Sequence, residues 1–392
     1  MTTAELETLD DAALRAMQAR DFTSARSLLM RAAEIDVANI DRWLKLAAAC
    51  RAGGDLPAAI LAVERGLAQA PRHFHALLMR AFILEKMAHP EAEEAYGIAV
   101  GLAPPDEALD PSTLAALNRA RGIHTRRVEA MKSFLEHQVQ AAVPDLSALD
   151  RARTQRFIDD HLRLTKRYRQ EPSHFYFPGL PDYEYYDRSL FPWIEAFEAA
   201  APDVLEELNG VLDEGMRGFS PYINYPDHLP VDQWAELNRN PDWGAFHLIQ
   251  GGQRIAGNAD RCPKTMAAIA RLPQPQINFR GPSAMFSALQ PHTRIPPHTG
   301  VSNSRLVVHL PLIIPDSCGF RVGNETREWK PGEAWVFDDT LEHEAWNESD
   351  RIRIILIVDV WNPYLTDAQQ IAIKAAMEAI DAFSGVAPAG GL

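Results

Sequence analysis

From residue 6 to about residue 105, apolar positions recur every three or four residues, and most are Ala or Leu. That spacing puts them on one face of successive helices. Small residues also recur at a longer interval. Ala25, Leu29 and Ala32 are answered by Ala59, Val63 and Gly66, and these in turn by Ala92, Tyr96 and Ala99. The interval is 59 − 25 = 34 residues, then 92 − 59 = 33. Trp43, Leu46 and Ala47 fill the inward positions of the first helix of the second unit. Gly53-Gly54-Asp55 reads as the turn between helices. Pro71 and Pro104 close the second and third units, because proline cannot donate the next backbone hydrogen bond. Residues 112 to 170 continue as helix with a break at Pro144, and the pattern changes near residue 174. His174 to Pro181 is aromatic and proline-broken, and a short helix is expected over Pro192 to Leu208. Beyond residue 275 the apolar positions come in β-branched and aromatic runs: 306–314, 334–337 and 352–361. Gly and Pro punctuate these runs and no helix-length pattern intervenes, which predicts an antiparallel barrel or jelly roll. Thr366-Asp-Ala-Gln369 is a capping box for a C-terminal helix.

The first hundred residues resemble three tetratricopeptide repeats, whose small residues let paired helices approach closely. Two positions depart from the pattern: the first unit has no terminal proline, and Arg80 stands where an apolar residue is usual. The expected organisation is multidomain α + β: a helical solenoid over 6–106, a helical linker over 107–172, and a sheet domain over 173–392. A solenoid offers a concave face suited to an extended peptide.

Composition narrows the partners. The 39 Lys and Arg against 53 Asp and Glu leave a net charge of −14, unsuited to a nucleic-acid backbone or an anionic membrane surface. The basic stretch Arg151, Arg153, Arg156, Arg163, Lys166, Arg167 and Arg169 reads as a solvated helix face balanced by Asp150, Asp159 and Asp160. Three scattered cysteines, Cys50, Cys262 and Cys318, make neither a disulfide framework nor a cysteine-rich zinc site. No apolar run approaches the ~18 residues of a membrane span, and the N-terminus lacks the pattern of a signal peptide. The expectation is a cytoplasmic protein without membrane insertion; its oligomeric state is not legible.

Four of the thirteen histidines fall in strand-rich sequence: His292, His298, His309 and His343. His298 lies in Pro-Pro-His-Thr-Gly, His343 follows 45 residues later after a strand, and Arg353 stands ten residues beyond, inside the next strand. Two imidazoles suit Fe(II), and a buried Arg suits the far carboxylate of a dicarboxylic acid. This arrangement is typical of 2-oxoglutarate-dependent oxygenases. The usual carboxylate two residues after the first His is absent, since that position is Gly300.

Three blocks carry a closer resemblance: Phe286 to Leu312, Arg321 to Trp329 with Phe337 to Asn347, and Asp359 to Pro363. On these, residues 174–365 resemble the aspartyl/asparaginyl β-hydroxylase family of Fe(II)/2-oxoglutarate oxygenases. Some members bind iron through two histidines with Gly in place of the acid, and animal members carry tetratricopeptide repeats ahead of the oxygenase domain. The resemblance implies a double-stranded β-helix, with Fe(II), 2-oxoglutarate and O2 as reactants. It implies His298 and His343 as metal ligands and Arg353 at the distal carboxylate. Ser287 and His309 would meet the metal-side carboxylate of the cosubstrate. The family often has Arg two residues before His309, where this chain has Val307. Arg305 is the candidate replacement, because 305, 307 and 309 share one strand face.

The implied reaction is hydroxylation of the β-carbon of an Asp- or Asn-type residue in a peptide or protein. The same chemistry on a free or carrier-bound amino acid or other small molecule stays open. So do a non-catalytic interaction protein and a cupin-like zinc site. Asp338 and Asp339 are read as acceptors for an imidazole N–H or as turn residues. His292 is read as a turn residue, Glu342 and Glu344 as exposed, and Trp346 and Trp361 as core.

Overall fold

Alanine at a helix crossing lets two backbones close up, and the first unit is built on that. A computed structural model of the chain describes residues 3–226 and 234–384. The chain divides into two units between Leu164 and Thr165. The first contains α1 (Thr3–Gln18), α2 (Phe22–Ile35), α3 (Ile40–Ala52), α4 (Leu56–Gln69), α5 (Phe74–Lys86), α6 (Ala92–Gly101), α7 (Pro111–Ala142) and α8 (Ala148–His161). Helices α1 and α2, α3 and α4, and α5 and α6 pack as pairs, each pair stacks on the next, and α7 packs on α6. Ala25, Ala32, Ala59, Val63 and Ala99 have no exposed surface. A Cβ at Gly66 would stand 3.0 Å from that of Trp43 and 3.2 Å from Ile40 Cγ1, so a larger residue there would push α3 and α4 apart by a few tenths of an ångström.

Side-chain caps set where these helices begin. Asp21 accepts from Ser24 N at 3.0 Å, and Asp55 from Ala58 N at 3.0 Å. Arg80 keeps its charge at the edge of the helical core by pairing with Glu91 at 3.0 Å and Glu64 at 3.8 Å. Pro144 separates α7 from α8, as its ring dictates. The helical pattern expected to run to residue 170 ends at His161, and Arg163 takes a left-handed backbone conformation (φ 57°). Of the basic stretch, Arg151, Arg153 and Arg156 lie on α8.

The second unit contains α9 (Ile194–Glu198), α10 (Ala201–Asp213), β1 (Ser220–Pro221), β2 (Trp243–Gln250), β3 (Gln253–Arg254), α11 (Ala256–Ala259) and α12 (Pro263–Ile269). Strands β4 (Ala284–Leu289), β5 (Thr293–His298), β6 (Arg305–Ile313), β7 (Cys318–Val322), β8 (Glu325–Arg327), β9 (Trp335–Phe337), β10 (His343–Asn347) and β11 (Arg353–Trp361) follow, then α13 (Asp367–Ser384). The expected single helix over 192–208 is broken into α9 and α10, and strand structure begins at β1, well before residue 275. The capping box forms: Thr366 N donates to Gln369 Oε1 at 2.9 Å, and Gln369 N to Thr366 Oγ1 at 3.3 Å.

The strands make two antiparallel sheets, one ordered β1-β2-β4-β11-β6-β9 with β3 on β2, the other β5-β10-β7-β8. Side chains alternate across the larger sheet. Phe246, Phe286, Leu306, Val308, Leu356 and Val358 pack against α9, α10 and α12. Leu289, Val307 and Ile355 face the other way and meet Ile295, Phe320 and Ala345 of the smaller sheet. Burial on both faces is why β6 and β11 read as continuous apolar runs. Each fully buried Leu, Ile or Phe contributes roughly 1.5–3 kcal/mol.

Candidate active site

The alternation that gives the central strands two buried faces also delivers polar side chains between the sheets. Ser287 of β4, Arg305 and His309 of β6, His343 of β10, and Arg353 and Asp359 of β11 are all buried. His298 ends β5 and stands directly opposite His343 in the β5–β10 ladder. Their ring centroids are 3.9 Å apart.

Each of these two imidazoles is oriented the same way. His298 Nδ1 contacts Pro296 O at 2.8 Å, and His343 Nδ1 contacts Leu341 O at 3.0 Å. A carbonyl oxygen can only accept, so each Nδ1 carries the proton and each Nε2 keeps its lone pair. Burial, and then the neighbouring His343, push His298 down to about 3. Burial pushes His343 down to about 4, with Arg305 adding to the shift. Both rings are therefore neutral at pH 7, the form that ligates a metal.

Arg353 is 1% exposed. Its Nη1 donates to Ser287 O at 3.3 Å and lies 3.5 Å from Ser287 Oγ, its guanidinium sits over the Trp329 ring at 4.9 Å, and its Nε has no partner. Among the described residues no carboxylate pairs with it. Burial drags its pKa down to about 10. An unpaired buried guanidinium is costly, and an arriving carboxylate relieves that cost. Trp243 Nε1 donates to Ser287 Oγ at 3.2 Å, and His309 Nδ1 accepts from Trp329 Nε1 at 3.4 Å. Burial and then Arg353 hold His309 well below its ordinary range, so it is neutral with its proton on Nε2.

Arg305 is buried too, but in opposite company. Its Nη2 lies 2.9 Å from Asp339 Oδ2 and its Nε 3.4 Å from Asp359 Oδ1. Burial works against its charge, yet these two carboxylates more than offset it and hold the guanidinium protonated. Nη1 has no partner. Burial raises Asp359 to about 6.

Gly300 explains where the missing side chain went. A Cβ there would run into the Asp339 carboxylate, so the space beside His298 is filled by an acid from the β9–β10 connection. Gly300 N donates to Asp339 O at 2.7 Å, and Asp339 Oδ1 is buried without a partner. Of the two roles read for Asp338 and Asp339, the structure gives the second: they lie in the turn between β9 and β10, and neither side chain takes an imidazole N–H, which backbone carbonyls accept instead. Asp338 instead accepts from Thr340 and Gln170.

The remaining candidates fall outside this group. His292 lies in a turn (φ 56°) and contacts Asp350 at 3.0 Å on the surface. Glu342 and Glu344 are tied to Arg321 at 3.0 and 2.6 Å, more enclosed than expected. Trp361 is buried, whereas Trp346 lies on the outer face of the smaller sheet beneath Arg294. Cys50, Cys262 and Cys318 are free and buried. Sequence reasoning missed an aromatic wall. Tyr222 stacks on Trp243 at 3.9 Å, and Trp234 meets the His298 ring edge-on at 4.9 Å. The density of aromatics before β2 was the available signal.

The fold and site together define a sheet domain with two facing imidazoles and a buried guanidinium between its sheets. The sequence pattern described as Aspartyl/Asparaginyl beta-hydroxylase matches residues 201–363 of this chain. The human Aspartyl/asparaginyl beta-hydroxylase is 39% identical over 148 residues, 38% of this chain and 19% of that protein. The Ornithine lipid ester-linked acyl 2-hydroxylase of Rhizobium tropici is 33% identical over 192 residues, 47% of this chain and 62% of that one. Aspartate beta-hydroxylase domain-containing protein 2 of Xenopus tropicalis is 30% identical over 212 residues, 53% of this chain and 54% of that one. The match thus spans about a fifth of the human relative and somewhat over half of the other two. Among solved structures, the type III secretion chaperone SycD of Yersinia enterocolitica is 20% identical, covering 32% of this chain and 93% of that one at a TM-score of 0.29. Among the described residues no helix is long and apolar enough to cross a membrane.

Proposed function

We propose that the second unit is an Fe(II)- and 2-oxoglutarate-dependent oxygenase that hydroxylates the β-carbon of an Asp- or Asn-type residue in a peptide or protein. The observation that carries this reading is the pairing of two Nε2 lone pairs, on rings 3.9 Å apart, with a buried Arg353 that has no acid partner among the described residues. Two neutral imidazoles suit a ferrous ion, and the free guanidinium suits the distal carboxylate of a keto-diacid. The two facing sheets are read as the halves of a double-stranded β-helix.

With iron and the keto acid bound, O2 would be the oxidant: one oxygen atom would go into oxidative decarboxylation of the keto acid to succinate and CO2, the other into hydroxylation of the C–H bond. The protein's share is orientation. His298 and His343 would hold the ion, their rings fixed by the Pro296 and Leu341 carbonyls. Arg353 would bind the distal carboxylate; Ser287, which the resemblance implied at the metal-side carboxylate, lies beside Arg353 Nη1 and would meet the distal one instead. His309 would offer its Nε2 proton to the metal-side carboxylate. Arg305 would offer its free Nη1 there too, in place of an arginine at 307. The wall of Tyr222, Trp234 and Trp243 would keep water away from His298.

The test is anaerobic binding of Fe(II) and 2-oxoglutarate, followed by succinate release in air. Succinate formation with a single-oxygen gain on an Asp- or Asn-containing peptide is expected. Metal-loaded protein that releases no succinate would leave a binding protein with a degenerate site. A second reading, the same chemistry on a small molecule, is favoured by the Rhizobium relative, whose match is longer than the human one. Oxygen gain on a lipid or free amino acid, with peptides untouched, would select it.

A further inference from the structure

Two loops carry the proposed ligands: residues 299–304 leave His298, and residues 338–342 lead into His343. One segment, ahead of the region that matches the family, is bonded to both. Glu171 N donates to Thr340 O at 2.8 Å, Ser173 N to Gly300 O at 2.9 Å, and Phe175 N to Val301 O at 3.0 Å. Gln170 is where the two attachments meet. Its Nε2 donates to Asp338 Oδ2 at 2.6 Å and to Pro181 O at 3.0 Å, while its Oε1 accepts from Asn303 Nδ2 at 2.8 Å. Asp338 and Asn303 are both fully buried. Asn303 also accepts from Phe177 N at 2.7 Å and donates to Phe177 O at 2.9 Å, so its orientation is fixed from the far side. Thr340 N and Oγ1 fix Asp338 in the same manner at 2.9 and 2.6 Å.

We propose that Gln170 is a positioning residue for the metal centre: its carboxamide, bridging Asn303 and Asp338, sets the spacing between the loops that present His298 and His343. The inference rests on reading those histidines as ligands. The chemistry demands an amide at this point. Asn303 presents a donor and Asp338 presents acceptors, so the bridging group must accept on one side and donate on the other. Alanine leaves both partners buried and unmatched. Glutamate still accepts from Asn303 but sets a second carboxylate against Asp338. An exchange of roles restores the match: with Gln170→Glu and Asp338→Asn together, the amide on 338 donates to the acid on 170 and still accepts from Thr340.

The experiment uses the full chain, with Co(II) alone as probe and with hydrogen exchange of the Gly300 amide measured without metal. That amide reports the closure of the two loops, since it donates to Asp339 O at 2.7 Å. Gln170→Ala and Gln170→Glu should each weaken Co(II) binding about 10- to 100-fold and lose Gly300 protection. The Q170E/D338N pair should recover most of both. Unchanged Co(II) affinity and Gly300 protection in the single variants would overturn the proposal, and so would a pair that recovers neither. A residue that merely fills space would not be rescued by exchanging donor and acceptor. If Gln170→Ala does not fold, Gln170→Glu and the pair decide on the same readouts. Failure of the unaltered chain to take Co(II) would sink the histidine reading instead, and Gly300 exchange would still decide whether Gln170 holds the loops.

Discussion

Arg353 and Arg305 begin adjacent strands of one sheet, both are 96% or more buried, and they live under opposite electrostatic rules. Arg305 is built with its counter-charges, Asp339 at 2.9 Å and Asp359 at 3.4 Å. Arg353 has two contacts to Ser287, an aromatic ring and, among the described residues, no acid. A guanidinium supplied with carboxylates has its charge compensated by the fold. One left without them keeps the full cost of burial, because burying a lone charge works against folding. The difference separates an arginine whose charge the fold itself pairs from one whose charge it leaves unpaired among the described residues.

The largest effect should come from breaking the paired side. Arg305→Met leaves Asp339 and Asp359 buried without a partner, which is expected to cost about 3–5 kcal/mol of stability in urea unfolding. A loss below 1 kcal/mol would mean that the two carboxylates do not depend on it. Arg353→Met should do the reverse in the ligand-free chain, leaving stability unchanged or raising it by about 1–4 kcal/mol. The same change should weaken 2-oxoglutarate binding by about 2–5 kcal/mol, since the far carboxylate loses its buried partner. Equal destabilisation by the two substitutions would erase the distinction.

Acidity distinguishes the two groups of residues more gently. His298 and His343 are held by burial at about 3 and about 4, below the ordinary value of 6.5. A folded-state value below the unfolded one gives stability that is complete above pH 6.5 and is lost as pH falls through 4 and 3. Asp359, raised by burial to about 6, has the opposite sign: its contribution is complete below 3.8 and is lost as pH rises through 6. In metal-free protein, His343→Gln should flatten the acid side of the stability profile and Asp359→Asn the slope between about pH 4 and 6. Co(II) affinity should stay nearly level from pH 8 to about 5, because neither imidazole takes a proton there. A fall centred near 6.5 would mean that the rings are ordinary, solvated histidines.

How much of this was legible depends on whether the cause was local. Ala25, Ala59 and Gly66 announce helix crossings because small size is the whole requirement, and Thr366 with Gln369 announces a helix start from four residues. Strands β6 and β11 are legible because both faces are buried. Strand β2 is not, since Gly244 and His247 interrupt its apolar run. The helix read through residue 170 stops at His161 because the chain reverses at Arg163 and its next residues, Gln170 among them, are bonded across the sheet domain. The spacing of His298 and His343 suggested a pair, and the family resemblance named it; direct opposition in one ladder is a property of the fold. The contact of Asp339 with Gly300 joins residues far apart in sequence, and no periodicity carries it. The same holds for the choice between Arg305 and Arg353, two arginines in similar apolar runs that differ in what the fold sets opposite them.

The smallest expected effect extends the comparison to a third arginine. Arg80 sits on α5 with 23% of its side chain exposed, between Glu91 at 3.0 Å and Glu64 at 3.8 Å, and both acids are about half exposed. It has two carboxylates, as Arg305 does, but water reaches all three groups. Solvent screens their attraction and has already taken up most of the cost of charge separation, so removing one partner strands nothing. Arg80→Met should therefore change the unfolding free energy by less than about 1 kcal/mol, and that small change should shrink further in 1 M salt. The methionine stem also replaces the apolar length of the arginine over the helical core. If Arg80→Met instead cost as much as Arg305→Met, counting partners would suffice to rank these arginines. A salt-sensitive loss of a few tenths of a kcal/mol beside a salt-insensitive loss of several would show that burial of the whole triad sets the scale.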